Sequence, residues 1–198
     1  LVYFLNKMIS EQEIPRIPVF VDSPLAVNAT RIFRKFPELF DDETNEFIRQ
    51  ERHPALSFDQ LTYVGSVEES KRLNERREPM VIISASGMAE AGRILHHLKN
   101  NIEDPRNTIC IVSWQAPHTL GRRLADRETE VRIFGETYRR KAEVATIGGL
   151  SSHAGQDMLV NYARAGRGDL KQIFLVHGEA APAAALQGRL NDSQDAPV

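Results

Sequence analysis

Short apolar runs alternate with amphipathic stretches along most of this chain, and that rhythm limits its fold more than any other feature. Residues 16–21, 61–64, 80–83, 108–112, 131–134, 142–147 and 172–176 read as strands. The stretches 2–12, 25–35, 41–52, 67–75, 89–99, 117–125, 156–165 and 180–190 carry helical periodicity. Met80-Val81-Ile82-Ile83 is a continuous apolar run of the kind buried on both faces of a parallel sheet. Ser66 and Glu69 form a capping box at the start of 67–75. Alternation of this kind predicts an α/β fold, a mainly parallel sheet flanked by helices. The rhythm changes near Arg139, where two strands come close together and a β-α-β-α unit follows. The expected divisions are therefore 1–138, 139–192 and a tail over 193–198.

The totals narrow the class. The chain has 198 residues, 41% hydrophobic and 26% charged, within the range of a globular protein. A net charge of −2 announces no nucleic-acid partner, so any basic surface is local. Cys110, the only cysteine, excludes an internal disulfide, reads as a small buried hydrophobe and points to a reducing, cytoplasmic compartment. No run is long and apolar enough to span a membrane, and no signal peptide is visible. The chain opens at Leu1 in mid-pattern and reads as a fragment.

Ionisable residues recur where strands run out. Asp22 ends 17–21, His153 follows Gly148-Gly149-Leu150-Ser151-Ser152, and His177 follows Phe174-Leu175-Val176. In open α/β sheets ligands sit beyond the carboxyl ends of the strands, so these groups are candidates for proton transfer or metal binding. Taken singly, each has a plainer account: Asp22-Ser23-Pro24 is a turn and cap signal, His153 a capping or surface residue, His177 a satisfied core histidine. Ser84-Ala85-Ser86-Gly87 lies between a buried strand and a helix, where an ordinary cap and an anion cradle are equally served. It is neither a Walker motif nor a dinucleotide fingerprint. His96 and His97 are adjacent on a helix, point about 100° apart and cannot easily share a metal; both read as surface or interface residues. His53 and His118 have no ligand neighbours in sequence. Arg122-Arg123 and Arg139-Arg140-Lys141 read as solvated faces or phosphate contacts, and Trp114 as core or a base-stacking surface.

Taken together, these segments resemble the β-CASP branch of the metallo-β-lactamase superfamily. Val19-Phe20-Val21-Asp22-Ser23-Pro24-Leu25-Ala26 is similar to the first β-CASP motif. Ser84-Ala85-Ser86-Gly87-Met88 with Gly92-Arg93-Ile94-Leu95-His96-His97-Leu98, then Trp114-Gln115 and Thr119-Leu120-Gly121-Arg122, is similar to the long central signature. Gly148 to Ala154 resembles the second motif and Leu175-Val176-His177-Gly178-Glu179 the third. The order of five such segments over 17–190 is specific where each alone is weak.

The resemblance implies a zinc-dependent ribonuclease of RNA processing or decay, endonucleolytic or 5′-exonucleolytic. It implies His177 as a zinc ligand, His153 as the residue that protonates the leaving oxygen or stabilises charge on the phosphoryl oxygens, and Asp22 as its hydrogen-bonding partner. Ser84, Ser86, Gly87, Ser151, Ser152 and Ala154 are the implied phosphate contacts. A histidine in the third motif accompanies RNA substrates in this family, where DNA-repair members carry valine. The family's main metal motif, His-x-His-x-Asp-His, is absent here. Residues 1–138 are thus expected to be an N-terminally truncated β-CASP domain and 139–192 the returning C-terminal part of the metallo-β-lactamase domain. The full-length enzyme is expected to hold two zinc ions, and the fragment alone to bind none and cut nothing. Expected partners are RNA, the missing metallo-β-lactamase half and, with oligomeric state left open, a second copy; no membrane is expected. The alternatives are a non-catalytic RNA-processing scaffold and a DNA-processing β-CASP nuclease.

Overall fold

The computed structural model describes residues 1–51, 56–151, 153–166 and 171–192. His53, Ser152 and the expected tail over 193–198 lie outside the described residues. The chain divides into two compact units, Leu1–Ser151 and Ser152–Val198.

The first unit opens with α1 (Val2–Ser10), β1 (Val19–Asp22), α2 (Pro24–Phe33), a 3₁₀ turn at Pro37–Leu39 and α3 (Asp42–Glu51). β2 (Leu61–Tyr63), α4 (Val67–Leu73), β3 (Val81–Ser84) and α5 (Ile94–Asn101) follow. β1, β2 and β3 form a parallel sheet in the order β2-β1-β3, with Val19 opposite Leu61 and Val81, and Asp22 opposite Ser84. Successive side chains of a strand face opposite ways, so the central strand feeds two cores. Val19 packs with Ile9 and Phe58, against Leu5, Val81 and Ile83. Phe20 packs with Val64 and Leu73, against Met80 and Ile82. Burying each such side chain contributes about 1.5–3 kcal/mol. β1 is the strand buried along its whole length, whereas β3, expected in that role, is half-buried throughout. The reason is position: β1 has a strand on either side, and β3 has one strand neighbour among the described residues.

The capping box forms: Ser66 Oγ accepts from the Glu69 amide at 3.2 Å, and the Glu69 carboxylate accepts from the Ser66 amide at 2.9 Å. The helix expected from Ala89 begins only at Ile94. Residues 85–93 form a loop because Ala89 (φ 54°) and Gly92 (φ 86°) adopt left-handed backbone. A Cβ at Gly92 would stand 2.7 Å from the Ala85 carbonyl oxygen, so glycine is required there.

The rest of the first unit comprises β4 (Thr108–Ile111), α6 (Leu120–Ala125), β5 (Glu130–Ile133), β6 (Glu136–Arg139) and β7 (Glu143–Thr146). Its core joins Leu98, Ile102, Leu120, Leu124, Val131 and Ile133. β5 and β6 are an antiparallel hairpin whose turn residues, Phe134 (φ 51°) and Gly135 (φ 83°), both have positive φ, as a tight hairpin turn demands. β6 is polar and escapes hydrophobic patterning; the turn places it. β4 and β7 pair in parallel, so a strand expected to belong with 139–192 hydrogen-bonds to the preceding region. β4 is alternately exposed, and Cys110 is exposed rather than buried. Partial desolvation still pushes its thiol pKa up, away from nucleophilic reactivity.

In the second unit α7 (Gln156–Ala165) and α8 (Ala180–Asp192) bury Val160 and Leu190. Arg189 Nη1 ties the helices at 2.6 Å from Asp157 and 2.9 Å from Gln156. The strand expected over 172–176 does not form; Phe174 is 75% and Val176 82% exposed. A strand is stable only in a ladder, and this apolar run has no partner strand among the described residues.

Candidate functional site

Asp22 is a fully buried carboxylate, 0% exposed at the carboxyl end of β1. Parallel pairing sets Ser84 beside it, and Ser84 Oγ donates to the Asp22 carbonyl oxygen at 3.0 Å. The next residue performs the cap expected of Asp-Ser-Pro: Ser23 Oγ accepts from the Ala26 amide at 3.3 Å.

Side chains distant in sequence converge on the carboxylate. Arg93 Nη1 donates to Oδ1 at 2.6 Å. His97 Nε2 and Ser70 Oγ both lie 2.6 Å from Oδ2. Arg93 and His97 are four apart at the start of α5, so they share one face and reach the same acceptor. His97 Nδ1 lies 3.0 Å from Asn74 Oδ1, at the C-cap of α4. Arg93 also donates to the carbonyls of Val64 (3.3 Å) and Gly65 (3.1 Å) beyond β2. Burial alone raises the Asp22 carboxyl pKa; hydrogen bonds from Ser70, His97 and Arg93 outweigh it and hold the value below the ordinary 3.8. The result is an ionised carboxylate kept in a dry place by compensating donors.

His97 is therefore a buried member of this cluster, not the surface residue its doublet suggested. His96 does face solvent. The missed signal was the i, i+4 pair Arg93–His97 following a strand end; nothing in sequence marked Ser70 or Asn74 as their partners.

The Ser84–Gly87 loop is held from the other side. Ser86 exchanges backbone hydrogen bonds with Ala91 and Ala89, and Gly87 accepts from Gln115 Nε2 at 2.9 Å. Gln115 is buried because Gly121 lets α6 come close: a Cβ there would collide with the Gln115 amide. Ser86 is half-buried, and Gly87 faces solvent. Trp114 is exposed, not core. Three members of the basic clusters are engaged: Arg122 pairs with Asp126, Arg123 with Glu128, and Arg140 donates to the carbonyls of Glu128, Ala142 and Arg127.

The histidine motifs have a different setting. Ser151 closes the first unit; His153 and Ala154 lie on the exposed loop leading into α7. His177 is exposed with φ 61° in the irregular stretch before α8. Among the described residues no three His, Cys, Asp or Glu side chains gather as a metal site. Catalytic zinc takes about three protein ligands, so these residues by themselves do not fit the ion.

Residues 1–124 match the Beta-Casp domain, and residues 137–198 match the Zn-dependent metallo-hydrolase RNA specificity domain. The chain belongs to the β-CASP family of the metallo-β-lactamase superfamily. This β-CASP chain is 38% identical over 173 residues to Ribonuclease TTHA0252 of Thermus thermophilus, covering 87% of the chain and 39% of that protein. It is 30% identical over 181 residues to Transcription termination factor FttA of Methanosarcina mazei, covering 88% of the chain and 28% of that protein. With FttA of Pyrococcus abyssi the identity is 32% over 167 residues, covering 82% and 26%. The chain thus spans well under half the length of these relatives. Its Asp22 cluster, the Ser84–Gly87 loop and α5 all fall inside the Beta-Casp match, whereas β7, His153 and His177 fall inside the second.

Proposed function

We propose that this chain is the RNA-clamping and acid-supplying part of a zinc-dependent ribonuclease that hydrolyses RNA phosphodiester bonds. The observation that carries the reading is Asp22: a fully buried carboxylate, kept ionised by compensating donors, in the segment that resembles the family's first motif. His153 is the general acid that protonates the leaving oxygen. Asp22 is the acidic residue of the first motif in the same reading. Ser84, Ser86, Gly87, Ser151, Ser152 and Ala154 are the phosphate contacts. His177 is one zinc ligand of a site that needs further ligands from outside these residues, and its identity favours RNA over DNA. The name of the Thermus relative, a ribonuclease, supports the same substrate class. Zinc in the family supplies Lewis-acid chemistry; this chain's part is to bind, orient and hand over a proton. A reducing cytoplasmic setting fits a chain with one cysteine. No helix among the described residues is long and apolar enough to cross a membrane.

The test is His153→Ala in the full-length protein. RNA cleavage should fall ~10²–10⁴-fold, the size of a general-acid contribution, with RNA affinity nearly unchanged. Unchanged cleavage would remove His153 from the mechanism. A wild type that binds RNA but never cuts it would instead establish the scaffold.

A further inference from the structure

We propose that Trp114 is a stacking platform for an RNA base beside the Ser84–Gly87 loop; the inference rests on the ribonuclease reading above for its substrate. Trp114 follows the carboxyl end of β4 and is 58% exposed. An indole left in water forgoes a large burial energy, so an exposed one is kept only at a cost in stability. The backbone beneath the ring is fixed. Its neighbour Gln115 is 4% exposed, and Gln115 Nε2 donates to the Gly87 carbonyl at 2.9 Å, the Ser113 carbonyl at 3.1 Å and Ser113 Oγ at 3.2 Å. Trp114 thus sits between two residues joined through one buried amide, and the same amide ties them to Gly87.

This attachment sets an aromatic residue next to the loop read above as a phosphate contact. Gly87 and Met88 are exposed there, and a Cβ at Gly87 would stand 3.4 Å from Ser113 Oγ. Glu90, the carboxylate of that loop, accepts from the Leu120 amide and is committed to the start of α6. A phosphate at the loop and a base on the ring are then contacts to neighbouring parts of one strand. Every base has a π-face, so such stacking tolerates any sequence, and a ring on a fixed backbone loses little freedom when it binds. The loop supplies the part of the affinity that depends on charge and salt, and Trp114 the part that depends on a base being present.

The experiment uses the full-length protein, a single-stranded RNA oligonucleotide and a ribose-phosphate strand of equal length without bases, mixed rapidly so that binding is read before turnover. Trp114 is the one tryptophan of these 198 residues, and subtracting the emission of Trp114→Phe isolates its signal in the longer protein. RNA should quench that emission, and the baseless strand should not. Trp114→Ala should weaken RNA binding about 10–100-fold and raise KM to match, with kcat little changed, whereas Trp114→Phe should keep most of the affinity. The slope of log Kd against log salt should be the same in Trp114→Ala as in the wild type, because the ring neutralises no phosphate. Emission that ignores RNA, a phenylalanine variant as weak as the alanine variant, or an alanine variant that binds RNA like the wild type would overturn the proposal. Should Trp114→Ala fail to fold, the wild-type emission with the two strands decides alone. A wild type whose Trp114 emission responds to RNA that it never cuts sinks the ribonuclease reading and leaves the stack. A wild type that cuts RNA, with KM unchanged in Trp114→Ala, sinks the stack and leaves the ribonuclease.

Discussion

Asp22 and His177 both follow short apolar runs, yet the structure treats the two runs in opposite ways. Val19 to Asp22 is the middle strand of a parallel sheet, buried along its length and locked by Arg93, His97 and Ser70. Ile173 to Val176 makes no strand, and its Phe174 and Val176 side chains face solvent. An apolar run becomes a strand only where other strands flank it: β1 has β2 and β3, and 173–176 has none among the described residues. A site residue at a flanked strand end is prebuilt by its own unit. One at an unflanked end has no such support among the described residues.

The sharpest way to break this contrast is to remove each residue in turn. Asp22→Ala leaves the buried Arg93 guanidinium without its counter-charge and His97 and Ser70 without their shared acceptor, and denaturant unfolding should show a loss of about 3–5 kcal/mol. His177→Ala in the same chain should stay within about 0.5 kcal/mol, as for an exposed position. Equal losses would mean that the C-terminal stretch is as tightly built as β1. Packing gives the next largest difference: Leu124→Ala, in the core, should cost about 2–5 kcal/mol, whereas Tyr162→Ala, exposed on α7, should cost little.

Hydrogen exchange sharpens the comparison without mutation. The amides of β1 should open only with the whole first unit, and those of 173–176 should exchange within the dead time of a manual experiment. Protection at 173–176 in this chain would contradict the unpaired assignment. Acid reads the electrostatic half. The Asp22 pKa lies below 3.8 in the folded state, so its contribution is present above that value and lost as pH falls through the lower folded value. Asp22→Asn should therefore flatten the acid limb of stability below about pH 4. The smallest effect belongs to Asp104, whose carboxyl Arg106 lowers to about 2 on the surface. Asp104→Asn should barely change the same limb, because solvent screens an exposed pair.

Much of the local architecture was legible beforehand. The helix starting beyond Ser66 was set by a hydrogen-bond exchange spanning three residues, and Asp22 was marked by the apolar run before it. The Ser84–Gly87 loop was placed correctly between strand and helix, but its length was not, because the left-handed turn at Ala89 carries no glycine signal. β6 was invisible because a polar hairpin strand has no hydrophobic alternation. Cys110 looked buried because β4 is apolar, yet the strand packs on one face only. His97 was misjudged because its partners, Asp22 and Asn74, stand 75 and 23 residues away.

The sequence alone determined the succession of elements, the caps and the residue that ends each apolar run, since these depend on neighbours within a turn or a pleat. Tertiary structure decided which run became the central strand, which stayed unpaired, and which histidine joined Asp22. Ladder partners and buried ion pairs are chosen by long-range packing, where desolvating a charge is tolerated only if distant donors arrive together.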